Sequence, residues 1–211
     1  MTAARVEWLS VAGPLEPWTD LGLVVVDGLI PLFGAGLRAA GGEEAHGLTG
    51  WAISGLDHPV DHPVDSVDGV ATESVEAVAP IFVEHPLGAY ELDHVVVNTG
   101  SLERTCAAIE AATGAPLKRI REAGPVRQGF HRLGGLVVEV VERVGQDPAD
   151  PATLWGVVFN VADLDVAVDR LGPQRCGEPR DAVQPGCRIA TVRETAGLGV
   201  PVALMSADPR R

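Results

Sequence analysis

The chain has little of what several functional classes depend on. It carries a single lysine, Lys118, and scattered arginines against an acidic excess that leaves a formal net charge of −13. Phosphate recognition needs clustered Lys and Arg, so this balance argues against a nucleic-acid partner, and anionic lipid headgroups would repel the chain. There are only three cysteines, Cys106, Cys176 and Cys187, an odd count without close spacing. They make neither a disulfide framework nor a zinc site and read as reduced thiols of a cytoplasmic protein. No basic region followed by an apolar run opens the sequence, so no signal peptide is expected. No apolar run is long enough to cross a bilayer: the best candidate, residues 21–37, is broken by Asp27-Gly28 and Pro31. Aromatic residues make up 4% of the chain. A chain of 211 residues can still bury a real core, and here Val, Leu and Ala must build it.

The organisation divides at two places. Residues 1–57 read as a β-rich module, with strands at Val6–Val11, Leu21–Val26, Leu29–Phe33 and Leu48–Ser54. Asp27-Gly28 between two of them is a hairpin signal. Residues 58–90 read as loop and linker, overlapping a tandem Asp-His-Pro-Val. His58 and His62 would share a helix face, but Pro59 and Pro63 forbid that helix, so the pair reads as a loop duplication rather than a metal site.

From Glu91 a new pattern begins. Leu92 to Val97 is a strand; Ser101 caps a helix whose apolar face is Leu102, Cys106 and Ile109, and Gly114 closes it. Strands at Pro116–Arg121, Val126–Leu133 and Leu136–Arg143 follow, giving the order β, α, β, β, β. That order then repeats. Residues 156–161 match residues 94–99 at a constant offset of 62, Leu164 matches Leu102, and Asp163 replaces Ser101 as the cap. The strand after Gly199 matches the one after Gly135 at an offset of 64. A supersecondary unit has been copied once, and each copy alone would expose an apolar sheet face, so the copies must pack together.

The block Leu92-Asp93-His94-Val95-Val96-Val97, the segments Arg127-Gln128-Gly129-Phe130 and Gly135 to Val141, and Trp155 to Phe159 resemble glyoxalase-like proteins of the glyoxalase/bleomycin-resistance (vicinal oxygen chelate) superfamily, as does Ala182 to Gly186. The resemblance covers residues 91 to about 207. It implies an α+β fold in which paired βαβββ modules form a half-open, eight-stranded barrel, with the β-rich N-terminal module, itself readable as a degenerate unit of this kind, added to it. Relatives often dimerise, which makes a homodimer an expectation by analogy.

In metal-using members the first and fourth strands of each module supply one ligand each. Carried over, those positions are His94 and Glu139 in the first copy and Gly156 and Ala203 in the second. Half of the shell lacks a donor side chain, so the expected cofactor is none or a weakly held divalent metal. Strand alternation sets Glu139 among Val residues, where a carboxylate must be paired or functional, and puts Glu142 on the opposite, solvated face. His94 then has three readings: a core histidine paired with Glu139, a metal-free general base working with Glu139, or a ligand of a metal completed by His131, Glu194 or the N-terminal module. Phe130, Arg127, Gln128, Trp155 and Trp51 are candidate ligand-binding residues, and Trp8 and Trp18 are further candidates to line a pocket over the open side of the barrel. Arg127, Arg132, Arg188 and Arg193 lie in strands, where one facing the pocket would favour an anionic ligand. The expected function is a glyoxalase-like enzyme of isomerase or lyase type acting on a small oxygen-bearing substrate. The alternative is a non-catalytic protein that sequesters a small molecule.

Overall fold

The computed structural model describes residues 3–40, 47–56 and 65–207; the Asp-His-Pro-Val repeat with His58 and His62 lies outside them. The N-terminal part runs β1 (Arg5–Ala12), α1 (Glu16–Leu21), β2 (Leu29–Ile30), β3 (Gly36–Ala40), β4 (Leu48–Ser54), β5 (Ser66–Val67) and β6 (Val70–Val75). A helix was not expected here. Pro17 stands in its first turn, where the missing amide would have had no intrahelical acceptor, and the helix buries Trp18 and Leu21. The expected strand from Leu21 is therefore a helix end followed by irregular chain. The Asp27-Gly28 turn does form: both residues have positive φ, 49° and 74°, and Val26 and Leu29 exchange backbone hydrogen bonds across it.

These strands form one sheet in the order β2-β3-β1-β4-β6-β5. β1 and β4 pair antiparallel at its centre, β3 lies parallel to β1, and β6 lies parallel to β4. Residues 66–75, expected as linker, thus complete the N-terminal sheet.

The second sheet follows: β7 (Ala89–Thr99), α2 (Leu102–Thr113), β8 (Arg119–Ala123), β9 (Val126–Leu133), β10 (Leu136–Arg143), β11 (Thr153–Val161), α3 (Leu164–Leu171), β12 (Arg180–Asp181), β13 (Arg188–Thr191) and β14 (Val202–Ser206). Its order is β12-β13-β14-β11-β7-β10-β9-β8, a single eight-stranded sheet. The two βαβββ units meet where β7 and β11 pair antiparallel. Each unit closes with its last strand parallel to its first, β10 on β7 and β14 on β11. Val96 lies opposite Glu139 and Val158 opposite Ala203, so the offsets of 62 and 64 seen in the sequence mark equivalent pairs. The smaller N-terminal sheet has the same plan with one strand fewer in each half and a helix in the first half only. The class defined is an α+β protein with few helices and two mixed sheets, the larger built from two βαβββ units.

Both expected helix caps form: the Arg104 amide donates to Ser101 Oγ, and the Val166 amide donates to Asp163 Oδ1. α2 packs so close to β9 that a Cβ on Gly129 would stand 2.8 Å from Cys106 Sγ; glycine permits that approach. Alternation divides the large sheet into two faces. Val95, Val97, Val138, Val140, Val157 and Phe159 face α2, α3 and the N-terminal sheet within one apolar core, where Trp18 meets Phe159 edge to face with ring centroids 6.3 Å apart. The other face carries His94, Val96, Glu139, Gln128 and Phe130, and its Val158, Cys187 and Met205 form a small cluster separate from that core. We call this the open face. No helix among the described residues is long and apolar enough to cross a membrane.

Candidate functional site

Strand register fixes what lies side by side on the open face. One row across the sheet reads Arg119, Phe130, Glu139, Val96, Gly156. The next reads Arg132, Val137, His94, Val158, Ala203. Glu139 and His94 thus stand diagonally on neighbouring strands, and His94 Nε2 is 3.5 Å from Glu139 Oε2. Gln128 Nε2 donates to Glu139 Oε1, which holds the carboxylate and leaves Oε2 turned toward the imidazole. The surroundings are Val96, Val137, Val141 and Phe130, and the two side chains keep 19% and 15% of their exposure.

A β-bulge adds a third member. Val158 pairs with His94 while Phe159 pairs with Leu92, so Asp93 is an extra residue in β7. Consecutive residues normally point to opposite faces; a bulge breaks that alternation and re-aims a side chain. Asp93 Oδ2 accepts a hydrogen bond from His94 Nδ1 at 2.9 Å, which directs Nε2 toward Glu139. Buried Asn160 in turn donates from Nδ2 to Asp93 Oδ1 at 2.9 Å and to Glu91 Oε2 at 2.6 Å. The order Asn160, Asp93, His94, Glu139, Gln128 is one connected polar chain across the centre of the open face. Asp93 and Asn160 escaped sequence reasoning, because strict alternation puts Asp93 on the wrong side and nothing local announces a bulge.

Other candidates lie elsewhere. Arg127 points to the helix side, where it pairs with Glu103 at 2.6 Å and Glu142 at 3.4 Å; hydrogen bonding to Arg127 lowers the Glu103 pKa. Glu142 is not simply solvated but caps α2, accepting from the Leu102 amide at 2.7 Å. Trp155 is the extra residue of a second bulge, in β11, and is exposed. Trp51 and Trp18 are buried, Trp51 donating from Nε1 to Thr72 Oγ1 at 2.7 Å within the N-terminal sheet. Trp8 is buried in that sheet under the Arg38 guanidinium. None of the three N-terminal tryptophans, Trp8, Trp18 and Trp51, covers the open face, because the N-terminal module packs into the core on the helix side. His131 is also on the helix side: its Nδ1 donates to the Ala115 carbonyl at 3.0 Å, and burial lowers its pKa. Glu194 stands in an exposed turn of 3-10 helix. Arg188 pairs with Asp165.

The donor set does not fit a divalent metal. Gly156 and Ala203 offer none, His131 and Glu194 are away from the site, and the His94 nitrogens are directed at Asp93 and Glu139. Among the described residues no group of three or more His, Cys, Asp or Glu side chains is placed to hold a metal ion.

No protein-family model and no curated protein matches the chain. Among solved structures it is similar to methylmalonyl-CoA epimerase from Mycobacterium tuberculosis, at 17% identity and a TM-score of 0.49 over 58% of this chain and 91% of that one. A variant of the Streptomyces coelicolor methylmalonyl-CoA epimerase aligns at 19% identity and a TM-score of 0.47, over 57% and 96% of the two chains. A hypothetical protein from Bacillus halodurans aligns at 13% identity and 0.48, over 57% and 96%.

Proposed function

We propose that the open face binds a small oxygen-bearing molecule and that Glu139, with His94 beside it, moves a proton at the carbon next to a carbonyl group. This is a glyoxalase-like activity of isomerase or lyase type, run without a metal. The observation that carries the reading is the state of the Glu139 carboxylate. Gln128 fixes one oxygen, and the other is left at the surface of an apolar patch beside an imidazole that Asp93 orients. A carboxylate so placed is a general base with its geometry set in advance. It takes the proton while the C–H electron pair moves toward the carbonyl oxygen to give an enolate, and return of a proton to the same or a neighbouring carbon completes the cycle.

The test is solvent exchange, which needs no knowledge of the natural product. Purified protein in D2O is incubated with 2-oxobutyrate and with a neutral propionyl thioester, and deuterium at the carbon next to the carbonyl is followed by NMR. Catalysed exchange on either compound, lost in Glu139→Gln with the fold intact, is expected. Exchange that persists in that variant rules out Glu139 as the base. A second reading, binding without chemistry, is favoured by the apolar cluster of Val158, Cys187 and Met205 beside the site. It predicts ligand affinity that survives Glu139→Gln and no exchange in either protein.

A further inference from the structure

The chain has an acidic excess, yet one end of the open face is cationic. Arg119 lies opposite Phe130, Arg121 opposite Gln128 and Arg132 opposite Val137. Directly paired residues point to the same face, so all three arginines share the face that carries Glu139. Among the described residues none of the three makes an ion pair, although Arg5, Arg104, Arg127 and Arg188 all do. Arg132 donates from one nitrogen to the Gly135 carbonyl. The Arg119 guanidinium lies over the Phe130 ring, 4.5 Å from its centroid. Stacking of this kind holds the group flat and leaves its N–H edge available for an oxyanion. The nearby acids Glu122 and Glu142 do not neutralise the patch, because their register partner Arg127 turns them to the helix side.

We propose that this patch on β8 and β9 binds an oxyanion of the substrate, so that the molecule turned over at Glu139 is a carboxylate or a phosphate ester. The assignment of a substrate rests on the function proposed above; the anion site itself does not. Adjacent strands are about 4.8 Å apart, which puts Arg119 roughly 10 Å across the sheet from Glu139. The anionic group therefore sits a few bonds away from the reacting carbon, over Phe130, and clear of the Glu139 carboxylate that would repel it.

Calorimetric titration of the full chain with 2-oxobutyrate and with sodium pyrophosphate tests the site and separates the two sources of oxyanion. At least one of them is expected to bind, more weakly as salt is raised, and the double variant Arg119→Gln/Arg121→Gln is expected to lose about ten-fold or more in affinity, since it removes charge-assisted hydrogen bonds. Tighter binding of the monocarboxylate assigns a carboxylic acid substrate; tighter binding of pyrophosphate assigns a phosphate ester. Glu139→Gln should bind the anion at least as tightly as the parent while losing proton exchange, which separates failure of one idea from failure of the other. If neither anion binds, or the double variant binds as well as the parent, the arginines serve only to keep an edge strand from pairing with other chains, and the proposal is wrong.

Discussion

Replacing Asp93 by Asn changes one atom's chemistry and almost no volume, and the bulge in β7 makes its effect calculable. Asp93 Oδ1 accepts from Asn160 Nδ2 and Oδ2 accepts from His94 Nδ1, each at 2.9 Å. An asparagine side chain has one oxygen and one NH2, so either orientation sets a donor against a donor. Turned toward Asn160, the new NH2 loses a bond in a site where Asn160 is 3% exposed. Turned toward His94, it forces the neutral ring to carry its proton on Nε2, the nitrogen that faces Glu139. The loss of one such hydrogen bond to a charged acceptor costs about 1.5–3 kcal/mol, which for a chain of this size corresponds to a fall of roughly 3–12 °C in Tm. Thermal denaturation reads the first quantity. Nitrogen-15 NMR of the His94 ring reads the second. The parent should show the Nδ1–H ring at His94 and the variant the Nε2–H ring or an averaged state. An Nε2–H ring in the parent, or a variant with the same Tm and the same tautomer, would refute the orienting role.

Two further outcomes follow from the packing. Asp68 joins the N-terminal sheet to α2: Oδ1 accepts from Arg104 Nε at 2.7 Å, Oδ2 accepts from Thr105 Oγ1, and its carbonyl accepts from the Ala152 amide at 2.8 Å. Its φ of 48° also suits Asp or Asn better than most residues. Asp68→Ala should cost about 1–3 kcal/mol in urea denaturation and Asp68→Asn distinctly less; equal effects would mean that the two carboxylate contacts to Arg104 and Thr105 decide and that the backbone conformation contributes little. Burial pushes the Cys106 thiol up to about 11 from 9.0. The folded state then holds a proton that the unfolded chain has released, so stability should fall as pH rises between about 9 and 11. Cys106→Ala should flatten that slope, and an unchanged slope would place its cause elsewhere.

The recurring βαβββ order and the helix caps were legible because they are local or periodic signals. Ser101, Asp163 and Gly114 stand where helix physics requires them, and the repeat offsets reappear as equivalent strand pairs. What could not be read was governed by partners distant in sequence. α1 is six residues long and carries no helical period; burial of Trp18 against Phe159 holds it in place. Trp51 reads as a pocket residue only if its module covers the open face, and the docking side of a module is not written in its own pattern. Arg127 was placed with Gln128 and Phe130 as a ligand contact, although alternation puts it on the other face, with Glu103 and Glu142. The candidate site was half visible: His94 and Glu139 came from the resemblance of their strands to glyoxalase-like proteins, whereas Asp93 stands beside them through a bulge in the pairing of β7 with β11, which depends on a strand distant in sequence.

Chemical-shift mapping of 2-oxobutyrate on the isotope-labelled chain bears most directly on the claim that the open face is where a ligand sits. Perturbed amides should cluster at Val96, Phe130, Glu139, Gly156 and Val158, with smaller changes toward Arg119 and Arg121. The structure also holds a cavity of about 370 Å³ lined by Phe33, Ile81, Phe82 and Tyr90 at the N-terminal module. Perturbations gathered there, with the Glu139 row unmoved, would contradict the assignment of the site.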